Sequence, residues 1–107
     1  MQSNGVATNA LAWVNFNGTG TVAIRSSYNV SSITDNGTGD YTLNFTSALT
    51  DTNYVLTGTA GSGNTTNASV NPNFGVASPT TTAMRFQVTN SANVVDLAYV
   101  HCAIFGN

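Results

Sequence analysis

Apolar and polar residues alternate over several short segments of this chain, and clusters of Asn and Gly separate these segments. Every second residue of Tyr41–Phe45 is apolar, and Ala83–Thr89 repeats the alternation. A period of two residues predicts β-strands that bury one face and turn the other toward solvent. Patterns of this kind predict strands over Leu11–Phe16, Thr21–Arg25, Val30–Thr34, Tyr41–Phe45, Asn53–Ala60, Ala83–Thr89 and Val94–Phe105.

The segment Asp35–Asp40 (DNGTGD) is rich in residues that accept left-handed backbone angles. It predicts a hairpin with Val30–Thr34 and Tyr41–Phe45 as its arms. At least one of the Asn and Gly residues in this turn is expected to have a positive φ angle, which few other residues adopt at low cost. By contrast, the poorly patterned segment Ala68–Thr82 contains two prolines and predicts no regular strand.

Composition indicates the same class of fold. Only 6% of the 107 residues are charged, and the chain contains neither Lys nor Glu. Strong helix formers are therefore scarce at polar positions, while the abundant Thr, Val, Tyr and Phe favour strands. The length fits one domain. We predict an all-β chain, with a polar leader over residues 1–10 and a small antiparallel β-sandwich over residues 11–107.

Charge argues against several classes of partner. The formal net charge is −2, and the basic residues are Arg25 and Arg85. A nucleic-acid backbone or an anionic membrane surface requires a cluster of basic residues, so neither partner is expected. No apolar segment approaches the ~20 residues of a membrane span, so membrane insertion is not expected either. Cys102 is the single cysteine, and its apolar neighbours indicate a buried, unpaired thiol.

The sequence offers little catalytic chemistry. Its acidic residues are four aspartates, and its single histidine is His101. Hydrolysis or group transfer needs a nucleophile with a base, or paired carboxylates at a fixed separation, and no motif supplies either. The apolar neighbours of His101 favour a strand residue in a packed layer. We therefore predict no catalytic residue, no enzyme activity and no cofactor.

A metal ion in Asp35–Asp40 is an alternative that the turn sequence leaves open. Its oxygen groups and glycines resemble a calcium-binding turn, but the EF-hand pattern needs more carboxylates and a terminal Glu. A plain hairpin turn is favoured, because Asp, Asn and Gly are common turn residues. His101 and Cys102 are adjacent and would point to opposite faces of a strand, so they cannot share a zinc ion. No metal ligand is predicted.

The last predicted strand, Val94–Phe105, is apolar on both faces beyond Asp96. A strand in an antiparallel sandwich normally turns one face to water, so a second apolar face implies that something covers it. We expect the cover to be another copy of the chain. The predicted oligomer interface consists of Ala98, Val100, Cys102 and Ile104. The alternative is a central strand whose outer face is covered by Ala68–Thr82.

Loops are the candidate binding surface, because function concentrates on loops that a rigid scaffold holds. The least regular segments carry amides, hydroxyls and one aromatic ring, groups that suit a sugar. The candidate receptor-binding residues are Asn64, Thr65, Thr66, Asn67, Asn71, Asn73 and Phe74. Binding through neutral groups should not depend on salt. The alternative is that these are solvated loop residues with Phe74 in the core, while Trp13 and Tyr28 belong to the core or to an interface.

One long phrase of the sequence resembles a known family. The segment Ala12–Leu56 contains AWVNFNGTGTVAIR, followed by SYNVSSITDNGTGDYT and then by Asn53-Tyr54. Through these stretches the segment resembles the C-terminal part of bacteriophage tail-fibre and related virion proteins. The resemblance implies a place in the virion beside other virion proteins, in a homotrimer that adheres to a host-surface glycan or protein. The alternative is a purely structural virion module, such as a trimerising cap, collar or decoration domain, with no receptor site.

Overall fold

The computed structural model describes residues 2–3, 6–7, 10–62, 68–91 and 93–106. Strands joined by turns and irregular connections make up these ranges, and no helix within them could cross a membrane. The strands are β1 (Gln2–Ser3), β2 (Val6–Ala7), β3 (Ala12–Asn17), β4 (Ala23–Tyr28), β5 (Val30–Gly37), β6 (Asp40–Phe45), β7 (Val55–Gly61), β8 (Ser69–Pro72), β9 (Ala83–Thr89) and β10 (Tyr99–Phe105).

Eight of these strands form one antiparallel sheet in the order β4-β3-β10-β7-β8-β9-β6-β5, while β1 and β2 pair with each other. The edge strands β4 and β5 follow one another in the sequence, and the sheet curves until it is nearly closed. The prediction of a small antiparallel all-β fold is confirmed. The two layers of the predicted sandwich are two halves of one curved sheet, with the apolar core between them.

Asn29 forms the corner between the two edge strands. It is the single residue between β4 and β5, and its φ angle is 55°, in the left-handed region that Asn tolerates better than most residues. Its Nδ2 donates hydrogen bonds to the carbonyl oxygens of Leu11 and Ser47, each at 3.2 Å. Its Oδ1 accepts one from the Ser47 backbone N–H at 2.8 Å. Asn29 thereby ties the corner to the start of β3 and the end of β6.

Three aromatic rings form the centre of the core. Phe16, Tyr41 and Phe86 are completely buried, and their ring centroids lie 5.2–6.1 Å apart. Edge-on and tilted pairs at this spacing are favourable beyond the area that they bury. The Tyr41 hydroxyl lies 2.7 Å from Asp96 Oδ1 and 2.9 Å from the Gly18 carbonyl oxygen. Burial and the adjacent Asp96 carboxylate both raise the pKa of Tyr41, so its hydroxyl stays protonated.

The predicted hairpin is confirmed as β5 and β6. Val30 pairs with Phe45 at the open end, and Gly37 pairs with Asp40 at the turn. Gly37 and Gly39 have φ angles of 133° and 63°, so the turn contains the positive φ angles that its composition predicts. The alternation in β6 and β9 is confirmed too, since the core contains the inward residues of both strands: Tyr41, Leu43, Phe45, Met84, Phe86 and Val88.

The oligomer interface assigned to the last strand is wrong for three of its four residues. Val100, Cys102 and Ile104 are buried in the core of the single chain. β10 lies between β3 and β7, so these three side chains pack with the inward residues of both neighbours. Burial raises the pKa of the Cys102 thiol to about 12 and keeps it un-ionised at neutral pH. The outward residues of β10 are Tyr99, His101, Ala103 and Phe105.

The alternative hypothesis was a central last strand whose outer face is covered by Ala68–Thr82. The central position is correct and the cover is wrong. Tyr99 and His101 are exposed, so Ala68–Thr82 does not lie over them. Part of that segment instead forms β8, which the sequence pattern does not predict. β8 pairs with β9 from Ser69 to Pro72. Pro72 is compatible with the sheet because β7 pairs with β8 at Ser69 alone, so Pro72 has a paired strand on one side only, as in an edge strand.

Candidate binding face

The two outer faces of the curved sheet differ in chemistry. One of them covers β5, β6, β9 and β8, and we call it the amide face. Apart from Ala83, its outward side chains are polar. They are Ser32, Thr34, Asn36, Asp40, Thr42, Asn44, Ser69, Asn71, Arg85, Gln87 and Thr89. Such a surface is what a chain with very few charged residues presents to water.

Side chains of the amide face hydrogen-bond to one another. Asn44 Nδ2 donates to the hydroxyls of Ser32 at 3.1 Å and Thr34 at 2.9 Å. Arg85 donates two hydrogen bonds to the Asp40 carboxylate, from Nε at 2.9 Å and from Nη2 at 2.7 Å. This bidentate pair lowers the pKa of Asp40 below its usual value. Because these groups already have partners in neighbouring strands, the amide face is typical of a solvated surface.

The other outer face covers β4, β3, β10 and β7 and is rich in aromatic rings. The exposed fractions of Trp13, Tyr28 and Tyr99 are 38%, 57% and 52%. We call this surface the aromatic face. Its outward side chains include Trp13, Asn15, Arg25, Ser26, Tyr28, Val55, Thr57, Thr59, Tyr99, His101, Ala103 and Phe105. Exposed rings that are grouped on one face, and not scattered singly, indicate an interaction surface.

Strand register assembles the aromatic face from distant parts of the sequence. Trp13 is the cross-strand partner of Tyr28 on one side and of Ala103 on the other, and Ala103 is in turn the partner of Thr57. The next row consists of Asn15, His101 and Thr59. Facing side chains in a sheet lie about 5 Å apart, so the two rows form one continuous surface.

A shallow groove of about 430 Å³ lies along β10 on the aromatic face. The small side chain of Ala103 leaves space between its two partners, Trp13 and Thr57. His101 and Thr59 line the next part of the groove. The volume falls within the range of roughly 300–1,000 Å³ that small-molecule sites occupy. The lining combines ring surfaces with hydroxyl and amide groups, which can orient a polar ligand.

Arg25 reaches the aromatic face through a β-bulge. The register between β3 and β4 shifts between Asn15 and Phe16, which leaves Arg25 without a direct partner in β3. Arg25 Nη2 donates a hydrogen bond to the Ala98 carbonyl oxygen at 2.6 Å, and Nη1 donates one to Asn15 Oδ1 at 3.3 Å. The guanidinium carbon lies 4.7 Å from the centre of the Tyr99 ring, a cation–π contact. Neutral groups therefore hold Arg25 in place.

The residues predicted from sequence to bind a receptor do not form one site in the described part of the chain. Asn64, Thr65, Thr66 and Asn67 lie outside the described residues. Asn71 belongs to the amide face, where its Nδ2 donates to the hydroxyls of Ser69 and Thr89. Asn73 is buried, whereas Phe74 is exposed, so the alternative that placed Phe74 in the core is wrong.

Phe74 borders a second cleft, which has a volume of about 210 Å³. Tyr54, Pro72 and Pro79 are among the residues that line it. The Tyr54 hydroxyl donates a hydrogen bond to the Thr80 carbonyl oxygen at 2.8 Å, so its polar end is already occupied. This cleft therefore offers an apolar lining with few groups to orient a ligand.

Two aspartates make the turn contacts that their sequence context predicts. Asp35 accepts a hydrogen bond from the Gly37 backbone N–H at 3.0 Å, and Asp51 accepts one from the Asn53 backbone N–H at 2.9 Å. These are the local bonds for which Asp is favoured in turns. Across the described ranges, no group of three His, Cys, Asp or Glu side chains comes together as a metal site.

Sequence reasoning missed the aromatic face. The sequence pattern assigned Trp13 and Tyr28 to the core or an interface and His101 to a packed layer. All three side chains are exposed on the outside of the sheet, which excludes the core and the packed layer and is compatible with an interface. A signal for Trp13 was present in the alternation of its own strand. Trp13 shares a face with the polar residues Asn15 and Asn17, while the opposite face of the strand is entirely apolar.

No protein-family model, curated protein or solved structure matches the chain. The aromatic face combines exposed rings, hydrogen-bonding groups and one cation, and this combination suits binding.

Proposed function

We propose that this domain is a non-catalytic adhesion module of a virion appendage and that its aromatic face binds a host-surface glycan. The contrast between the two outer faces carries this proposal. The polar groups of the amide face bond to each other within the sheet. The aromatic face leaves large rings exposed beside hydroxyl and amide groups. A host-surface protein is the alternative receptor.

The chemistry of a sugar matches that of the aromatic face. A pyranose has an apolar surface of C–H groups and a rim of hydroxyls. Trp13 and Tyr28 present ring surfaces for the C–H groups, and they face each other across β3 and β4. Asn15, Thr57 and Thr59 supply hydrogen-bond donors and acceptors for the hydroxyls. Rigid aromatic side chains also give a large contact area for little loss of conformational entropy.

The place in a virion rests on the phrase within Ala12–Leu56 that resembles phage tail-fibre proteins. In this proposal the chain assembles as a homotrimer and joins other virion proteins. An open groove gives a weak single contact. Several linked copies strengthen attachment, because the first contact raises the effective concentration of the others.

Trp13→Ala is expected to weaken glycan binding by at least about tenfold, equivalent to about 1.4 kcal/mol, because it removes the largest ring from the groove. Binding is measured on an array of immobilised oligosaccharides that contain neutral hexoses, N-acetylated hexosamines or hexuronic acids. Calorimetric titration with the best oligosaccharide then gives the affinity. The variant should keep its fold by circular dichroism, since Trp13 lies outside the core.

Phe74→Ala is the matched control for Trp13→Ala, because Phe74 is an exposed aromatic residue outside the aromatic face. It should bind like the unchanged protein. A loss of binding with Phe74→Ala and not with Trp13→Ala would return the receptor site to the loops predicted from the sequence. If the assembled, unchanged protein binds no oligosaccharide on the array, the glycan proposal is wrong.

A purely structural virion module is the second candidate, and one observation favours it. Val55 and Phe105 face each other across β7 and β10 at one end of the aromatic face, and both are exposed. An apolar pair beside aromatic rings is also typical of the centre of a protein–protein interface. In this candidate the aromatic face is buried against another copy of the chain, as in a trimerising cap.

The double variant Val55→Ser with Phe105→Ser separates the two candidates. Under the glycan proposal it should keep the assembly state and most of the affinity of the unchanged protein, because Trp13 lies further along the face. Under the structural candidate, the unchanged protein should sediment at three times the 11.0 kDa chain mass and the double variant as a folded monomer. Sedimentation equilibrium and the oligosaccharide array measure both outcomes.

A further inference from the structure

Arg25 carries a positive charge on the aromatic face that no carboxylate neutralises within the described part of the chain. The other arginine, Arg85, forms an ion pair with Asp40, and the described residues contain no further ion pair. The contacts of Arg25 go to neutral groups, namely the Ala98 carbonyl, the Asn15 amide and the Tyr99 ring. The charge of Arg25 is therefore open to an anion from outside the chain.

We propose that the aromatic face selects a saccharide that carries a carboxylate, such as a uronic acid, and that Arg25 binds this carboxylate. The inference rests on the proposed glycan function and names its substrate class. A guanidinium group has five N–H donors in a planar fork, and the two hydrogen bonds to Ala98 and Asn15 leave the others available. A carboxylate matches that fork with two parallel, charge-assisted hydrogen bonds.

The position of Arg25 is fixed before a ligand arrives. The 2.6 Å hydrogen bond to the Ala98 carbonyl and the cation–π contact with Tyr99 restrain the guanidinium group. A side chain that is already ordered loses less conformational entropy when it binds. Arginine is otherwise a flexible side chain, so this ordering favours a specific contact over a diffuse charge.

Arg25 and the ring of Trp13 lie on the same outer face, with Asn15 between them along β3. Asn15, which accepts a hydrogen bond from Arg25, lies two residues from Trp13 on the same face of β3. Two residues of a strand span about 7 Å. A saccharide that stacks on Trp13 can therefore extend along β3 past Asn15 and place a carboxylate beside Arg25.

The charge balance of the chain favours a single carboxylate over a densely charged polymer. The aromatic face contains no lysine and no arginine besides Arg25, and the formal net charge of the chain is −2. A net negative protein repels polymers that carry several charges on each sugar. The composition of the loops predicts recognition by neutral groups alone. This proposal adds one ionic contact, between Arg25 and the carboxylate of the sugar.

The test compares two arginine variants that remove the same charge from different faces, Arg25→Gln and Arg85→Gln. On the oligosaccharide array, the unchanged protein should bind uronic acid oligomers at least tenfold more tightly than their methyl esters, which keep the sugar and lose the charge. Arg25→Gln should abolish this preference and Arg85→Gln should retain it. Arg25→Lys should restore only part of the preference for acids, because lysine keeps the positive charge and lacks the planar guanidinium donors. Raising NaCl from about 20 to about 500 mM should reduce the preference through screening.

The outcomes separate this inference from the proposed function. Equal binding of acids and esters that does not change in Arg25→Gln would overturn the carboxylate assignment and leave glycan binding intact. Sulfated oligosaccharides are added to the array, and Arg25-dependent binding that is stronger for them than for uronic acids would also overturn it. Absence of binding to every oligosaccharide on the array would contradict the proposed function itself, and this inference with it.

Discussion

Val100→Asp is expected to prevent the chain from folding, whereas His101→Asp, one residue further along β10, should leave the fold intact. Val100 is completely buried, so a carboxylate there would lose its hydration without gaining a partner. Such a change costs roughly 3–5 kcal/mol or more, a large part of the 5–15 kcal/mol that stabilises a typical domain. His101 is exposed, and an Asp at that position stays hydrated.

Both substitutions place the same poor strand former in the same strand, so the difference between them isolates burial. Circular dichroism and sedimentation measure the fold and the assembly state. Val100→Ala is the milder companion, with an expected loss of about 2 kcal/mol in the free energy of unfolding and an intact fold. A folded, monomeric Val100→Asp protein would contradict the burial of Val100 and restore the interface predicted from the sequence.

Strands with one apolar face could be predicted from the sequence because their alternation shows which side is buried. All the apolar residues of Tyr41–Phe45 lie on one side, so the core has to cover that side. β10 carries apolar residues on both sides, and its pattern gives no such direction. Its inward side is determined by its pairing with β3 and β7, where Val100 lies opposite Phe16 and Ala60. Neither partner is close to Val100 in the sequence.

The candidate site was harder to predict than the strands, because it exists only in the cross-strand register. Trp13 meets Ala103 through a pairing that no short segment of sequence specifies. The bulge that brings Arg25 to the aromatic face depends on a one-residue shift in that register. The composition of the chain instead predicted a binding site in its Asn- and Thr-rich segments. The amide face uses the same residue types, such as Asn71, for hydrogen bonds within the sheet.

Gly39→Ala is expected to lower the melting temperature far more than Gly20→Ala. Both glycines have left-handed backbones, with φ angles of 63° and 59°. An alanine at either position therefore carries the same conformational cost of about 1 kcal/mol. The surroundings differ. A Cβ at Gly20 would meet no atom within 4 Å, whereas one at Gly39 would lie 2.6 Å from the Val95 backbone nitrogen and 2.7 Å from the Val88 carbonyl oxygen.

Those two backbone atoms are hydrogen-bonded to each other at 2.9 Å, and the Gly39 N–H donates to Asp96 Oδ1 at 2.8 Å. A Cβ at Gly39 has to push the β5–β6 turn away from β9 and the segment before β10, because backbone atoms cannot yield as the end of a side chain can. We expect Gly39→Ala to lose about 3 kcal/mol or more, or about 12 °C in melting temperature, against about 4 °C for Gly20→Ala. Thermal denaturation followed by circular dichroism measures both values. Equal melting temperatures would contradict the close approach of the turn to Val88 and Val95, and would leave backbone conformation as the sole reason for glycine at this position.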